Sequence, residues 1–418
     1  MVAFTPLTVR AQYGGSIIAP SNIYIRGVCG DASRGILYVL GTYYSAGTYY
    51  GAVFRVINLT TWPIVAYYDP SNYGPGFKTG YAHACEIVDN YLFLVGSAYK
   101  FADTLDNFAG LIRVYDISNP DSPSFLSGVY VYNWWFIDIE VRRVDTTYYI
   151  YVLSDILPNP YNTTIGYITF TGGQLSTTLY YTTLCYNSIN CFGYGMTLGR
   201  GLYSDHLAVS YRDANNNLKT VVFNLTSGLG QDVQLVANYI DTKAPVDSYS
   251  GGFLVAAGGD FYRVYLSGGS WTSETYMTSV YSGLANSMVV SEESGAGPGA
   301  YVFSNVSTNI YVTAVDLVSK RVAYTEAFTS MDSTEYFYSH HYGDPVVVWI
   351  DSSGNIVPAG TSGARPYMVD VYTSTRLVYY DLTRGGSLPY PIPEPWLVVL
   401  GVLVPVIVFI VVKTHGHD

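Results

Sequence analysis

One phrase recurs along this chain, and its regular spacing limits the fold more than any other feature. An apolar strand with a polar residue near its end leads through a turn into a second apolar strand. The clearest copies are VFRVINLTTWPIVAYY, from Val53, and LIRVYDISNPDSPSFLSGVY, from Leu111, which align Arg55 with Arg113, Val56 with Val114, Asn58 with Asp116 and Pro63 with Pro123. Five weaker copies follow, giving central residues Asn58, Asp116, Thr169, Asn224, Tyr265, Asp316 and Asp370, separated by 58, 53, 55, 41, 51 and 54 residues. A unit of that length holds four short antiparallel strands, and one such sheet cannot cover both of its faces. Packing seven units around an axis covers the faces, and joining last to first removes the open edges.

The expected fold is therefore all-β, a seven-bladed β-propeller over residues 1–382. The repeated phrase supplies the outer strand pair of each blade, and segments such as GILYVLGTYY and ACEIVDNYLFLVGSAY supply the inner strands. The N-terminal strand TPLTVRAQY is expected to complete the last blade as a clasp. A pair of β-sandwich domains is the rival architecture, and the even spacing argues against it.

The best-preserved phrase, IRVYDISNPDSPSFLSGVY, resembles the LVIVD repeat of surface and secreted β-propellers. Residues 112–130 carry that resemblance well, residues 54–68 partly, and the other copies only in pattern. It implies the propeller fold and says little about a ligand. In tyrosine richness, low charge and a C-terminal apolar run, the chain is also similar to surface and virion proteins of hyperthermophilic archaea and their viruses.

That apolar run, WLVVLGVLVPVIVFIVV from Trp396 to Val412, contains no charge. As a helix it would extend about 26 Å, close to the hydrocarbon thickness of about 30 Å. Trp396 and Lys413 suit the two interfaces, and Pro405 is tolerable in a membrane helix. The expectation is a transmembrane helix over 396–412, a Pro/Gly-rich spacer over 383–395 and a short tail over 413–418. The N-terminus lacks a basic region followed by an apolar stretch and does not read as a signal peptide. The lysines and arginines around the apolar run do not fix its orientation.

Charged residues are 12% of the chain and the net charge is −11, with no basic block, so nucleic acid is not an expected partner. Tyrosine, with 44 copies, dominates a strand-favouring composition. The cysteines contain no CxxC spacing; Cys185 and Cys191 could close a hairpin loop, and Cys29 and Cys85 lie in comparable strands of neighbouring units, with four free thiols the alternative. Glycosylation sequons occur at Asn58, Asn162, Asn224 and Asn305. The aromatic run YNWWF, with Trp134 and Trp135, offers either a binding face or blade packing.

Chemical motifs are sparse. His83 stands beside Cys85 and Glu86, His340 and His341 precede Asp344, and His415 and His417 lie in the tail, none with a complete ligand set. ESGAGPGA lacks the Lys and Ser/Thr of a phosphate loop, and no GxSxG elbow occurs. No cofactor and no enzymatic activity are expected. The leading expectation is a membrane-anchored virion surface protein serving host attachment or shell assembly, in contact with lipid, other virion or surface-layer proteins, and a host-surface glycan or protein. The alternatives are a cellular adhesion or surface-layer-associated protein, and a propeller ectoenzyme. A compact group of His, Asp and Glu at the ring axis would favour the enzyme.

Overall fold

The computed structural model describes residues 14–60, 65–68, 79–99, 108–156, 162–241, 243–291, 299–306, 309–330 and 344–383. These form seven antiparallel sheets. Blade 1 comprises β2 (Ile23–Asp31), β3 (Ile36–Ser45), β4 (Thr48–Arg55) and β5 (Val65–Tyr68). Blade 2 comprises β6 (Thr79–Val88), β7 (Tyr91–Tyr99), β8 (Phe108–Asp116) and β9 (Ser124–Tyr132). Blade 3 comprises β10 (Trp134–Val144), β11 (Thr147–Ile156), β12 (Asn162–Thr171) and a divided outer strand, β13 (Gln174–Leu175) and β14 (Tyr180–Cys185). Blade 4 comprises β15 (Phe192–Leu198), β16 (His206–Arg212), β17 (Leu218–Asn224) and β18 (Gly230–Val236). Blade 5 comprises β19 (Val246–Tyr249), β20 (Gly252–Ala257), β21 (Asp260–Ser267) and β22 (Ser270–Met277). Blade 6 comprises β23 (Leu284–Ser291), β24 (Gly299–Val306), β25 (Asn309–Asp316) and β26 (Arg321–Ser330). Blade 7 comprises β27 (Val346–Ile350), the short β28 (Ile356–Val357), β29 (Arg365–Thr373) and β30 (Arg376–Asp381), and its outer edge is covered by β1 (Gly14–Ile18) from the other end of the chain.

The polar residue of the repeat has a structural job at the end of the third strand. Asn58, Asp116, Asn224 and Asp316 each turn a side-chain oxygen back onto the backbone N–H two residues later, at 2.7, 2.7, 3.0 and 2.9 Å. This is the Asx turn, which starts the reversal into the fourth strand. Two alignments change. In blade 7 the equivalent residue is Asp381, which accepts from the Thr383 N–H at 2.9 Å, whereas Asp370 lies inside the second strand. The cause is the clasp: the fourth strand of blade 7 comes from the N-terminus, so the last strand pair of the ring is the second and third. In blade 5 the reversal is made instead by Gly268–Gly269, both with positive φ, in a two-residue hairpin closing Ser267 onto Ser270. Gly258–Gly259 closes the preceding hairpin in the same way, which shortens this blade and accounts for its 41-residue spacing.

Apolar faces pack blade against blade all round the ring. Phe93, Ile112 and Val114 of blade 2 meet Ile150, Ile168 and Phe170 of blade 3, and the same cluster runs on to Met196 and Leu207 of blade 4. Further clusters join blade 4 to 5, 5 to 6 and 6 to 7. Ile25, Val39 and Phe54 of blade 1 share a core with Val348, Val369 and Leu377 of blade 7, so the circle closes by burial as well as by β1. The Asn58 amide adds to that closure by donating to Ser353 O at 3.1 Å and Asn355 Oδ1 at 2.9 Å. Cys29–Cys85 ties blade 1 to blade 2, and Cys185–Cys191 ties the outer strand of blade 3 to the start of blade 4.

Among the described residues no helix is long and apolar enough to cross a membrane. The expected helix with Trp396, Pro405, Val412 and Lys413, the spacer beyond Thr383 and the tail lie outside the described residues, as do TPLTVRAQY, His340 and His341.

Candidate functional site at the propeller axis

The inner strands share a device that the sequence pattern conceals. In blades 1, 2, 3, 4 and 6 one residue bulges out of register, namely Arg26, His83, Ile137, Tyr194 and Asn286. A bulge kinks the strand and re-aims the side chains beside it. Three residues after the bulge come Glu86 in blade 2 and Glu140 in blade 3, while Thr197 and Val289 hold that place in blades 4 and 6.

Glu86 and Glu140, on neighbouring inner strands, lie close enough for each carboxyl to act on the other's ionisation. Two neighbouring carboxylates so strongly desolvated resist ionising together. Burial, then the charge of Asp138, push Glu86 up to about 8. Glu140 is held well above the usual carboxylate range by burial, then by Glu86, Asp344, Asp138 and Asp247. Asp344 is raised by burial, then by Asp138, Asp247, Glu86 and Asp370. These acids belong to blades 2, 3, 5 and 7, which approach one another only around the axis. By surface area Glu86, Glu140 and Asp344 are half-buried.

Other axial acids bind one blade to the next. Asp138 accepts from the Met196 N–H of blade 4 at 2.8 Å and from the Ile139 N–H at 2.9 Å, yet burial still lifts it to about 7. Asp247 of blade 5 accepts from the Val290 N–H of blade 6 at 2.6 Å and meets Arg200 of blade 4 at 3.4 Å. Asp155 accepts from Thr163 Oγ1 at 2.8 Å and the Gly193 N–H at 3.4 Å, and burial pushes it to about 7. Asp370 of blade 7 accepts from Ser287 Oγ of blade 6. Lys243, just before β19, is lowered to about 7 by burial, partly offset by the charge of Asp370. The axis therefore gathers carboxyls that hold protons near neutrality and a lysine that sheds one there. Such displaced ionisations mark places equipped for proton transfer. Among the described residues no group of three or more His, Cys, Asp or Glu is placed to hold a metal ion.

Of the residues singled out from sequence, Glu86 and Asp344 join the axial acids, and the other described ones lie elsewhere. His83 is fully buried between blades, its ring nitrogens bonded to Phe136 O at 2.9 Å and Ser97 Oγ at 3.2 Å. Trp134 is buried against Phe136 and Tyr181, and Trp135 lies 4.9 Å from His83. Asn162 Oδ1 receives the Asn187 N–H at 2.7 Å, and the hydroxyl residue of its sequon, Thr164, is fully buried. Asn305 Oδ1 receives the Asn286 amide at 3.4 Å. The acidic pair was missed because each member sits in an apolar strand. The signal was present: Glu86 and Glu140 are 54 residues apart, one repeat.

No family model matches the chain, and no curated protein sequence matches it. Solved structures do. An α-L-arabinanase of Penicillium chrysogenum complexed with arabinobiose is 15% identical, with 74% of this chain and 99% of that one covered and a TM-score of 0.48. The periplasmic gluconolactonase of Pseudomonas aeruginosa is 11% identical, covering 86% and 99%, with a TM-score of 0.46. The WD40 domain of SCAP from fission yeast is 9% identical, covering 90% and 89%, with a TM-score of 0.42. The seven sheets closed by β1 are those of a seven-bladed propeller, whereas membership of the LVIVD family and a viral or archaeal origin gain no support. The expectation that the chain is not an enzyme is corrected here, because solved propellers of similar architecture include enzymes. At these identities the likeness concerns the fold alone, and the chemistry rests on the axial residues.

Proposed function

We propose that this chain is a propeller enzyme whose catalytic centre is the acidic axis, acting by general acid–base chemistry on a small, polar, uncharged or cationic substrate. The supporting observation is the Glu86–Glu140 carboxyl pair on neighbouring inner strands, both held above the usual carboxylate range by burial. In such a pair the ionised partner takes a proton from an attacking hydroxyl or water. The protonated partner gives one to the leaving oxygen. Asp138, Asp247 and Asp344 keep the pair's pKa values high and repel anions. Two disulfides suit a setting outside a reducing cytoplasm, where the apolar segment 396–412 would hold the domain at a membrane. The attachment role keeps one supporting observation, the solvent-facing Tyr180 and Tyr181 on blade 3.

The test is a panel of nitrophenyl glycosides, esters and lactones assayed from pH 5 to 9. Turnover with a bell-shaped pH profile is expected, and Glu86→Gln and Glu140→Gln should each lower kcat about a hundredfold or more. Absence of turnover across the panel, or variants as active as the parent, would refute the reading.

A further inference from the structure

Blade 3 carries a second site, remote from the axis. Its strands alternate side chains between two faces. Tyr148, Ile150, Ile168 and Phe170 take the face toward blade 2 and are packed into the core. The opposite face, toward blade 4, is a ladder of tyrosines. Tyr151 stands opposite Tyr167, and Tyr167 opposite Tyr180, in the strand register. Ring centroids lie 6.0 Å apart for the first pair and 5.1 Å for the second, which is stacked at 19°. Tyr149 flanks Tyr167 at 6.1 Å.

This face does not close against its neighbour. A groove of about 450 Å³ remains between it and Phe223, Asn224 and Leu225 of blade 4. That is within the usual range of small-molecule sites, roughly 300–1,000 Å³. No residue lining it is charged. Tyr180 at its mouth is 56% exposed. None of the hydroxyls of Tyr149, Tyr151, Tyr167 and Tyr180 has a hydrogen bond among the described residues.

We propose that this groove binds a neutral oligosaccharide. An ionic ligand would find no charged residue among those lining it. A purely apolar occupant such as a lipid tail would cover the phenol hydroxyls without satisfying them, at a desolvation cost. A sugar ring meets both demands: its C–H face lies against the electron-rich face of a tyrosine ring, and its hydroxyls bond the phenols. Tyrosines held in a strand ladder lose little freedom on binding, which favours affinity.

The chain has a competing source of sugar. Asn224 lines the groove and belongs to a sequon, while its Oδ1 holds the turn through the Thr226 and Ser227 N–H groups at 3.0 and 2.9 Å. The proposal commits to a foreign oligosaccharide. The full 418-residue chain should be applied to an array of neutral and acidic oligosaccharides, with calorimetric titration of the best neutral binder. Tyr180→Ala should weaken that binding about tenfold, one stacking partner being lost. The Tyr180 side chain is more than half exposed, so the thermal transition should move little. Tyr167→Phe, which keeps the ring, should weaken it less. Absence of binding by any neutral oligosaccharide, preference for acidic ones, or unchanged affinity in the Tyr180→Ala variant would overturn the proposal. So would mass spectrometry of the native protein finding a glycan on Asn224, because the groove would then hold the chain's own sugar.

Discussion

Replacing Cys29 and Cys85 together by alanine should destabilise the propeller more than replacing Cys185 and Cys191. The first bond joins inner strands of adjacent blades and spans 56 residues of sequence, while the second spans 6. A crosslink restricts the unfolded chain in proportion to the logarithm of the loop it closes. The chain-entropy relation gives about 4 kcal/mol for the long loop and about 2 kcal/mol for the short one at 25 °C. All four cysteines are buried, so the packing lost on truncation is similar for both pairs and largely cancels in the comparison. The difference, about 2 kcal/mol, is large against typical domain stabilities of about 5–15 kcal/mol. Urea titration of both double variants would read it as separated midpoints with similar slopes. Equal costs, or a greater cost for the Cys185–Cys191 pair, would refute the argument that blades 1 and 2 are stapled through a long loop.

The raised carboxyls make a further prediction with a definite sign. Asp138 and Glu86 keep protons to about 7 and about 8 in the folded chain, whereas unfolded carboxyls release them near 4. The folded state then binds more protons between those limits, so their contribution is complete below about pH 4 and falls as pH rises through about 8. Asp138 alone sets a ceiling of about 4 kcal/mol, at about 1.4 kcal/mol per pKa unit; a melting temperature that is flat or rising from pH 5 to 8 would contradict this. Lys243, lowered to about 7, works in the opposite direction above that pH, so Lys243→Met should flatten the alkaline limb of the same curve. Removing residues 1–18 strips β1 from β30 and bares a sheet edge, and light scattering should then show concentration-dependent association; an unchanged monomer would argue against the clasp.

The repeat made the blade count legible because every unit solves the same burial problem with the same strand–turn–strand phrase. Its alignment failed at Asp370 and Tyr265 for local reasons, the clasp in blade 7 and the glycine hairpins in blade 5. The axial acids were harder to see. Glu86, Asp247 and Asp344 lie 161 and 97 residues apart, and only ring closure brings them together, so no local pattern announces the site. The bulges at His83 and Ile137 are equally silent, since an extra residue in a strand leaves its composition unchanged. The tyrosine ladder was visible only as an excess of tyrosine until strand register put Tyr151, Tyr167 and Tyr180 in line.

The most direct measurement of the central claim is a ¹³C carboxyl titration by nuclear magnetic resonance of the folded protein, with resonances assigned through Glu86→Gln, Glu140→Gln and Asp138→Asn. The account predicts that these three groups ionise near or above neutrality and that removing Glu86 moves Glu140 downward. Ionisation of all three below about pH 5, as in an unperturbed carboxyl, would contradict an axis built to hold and transfer protons.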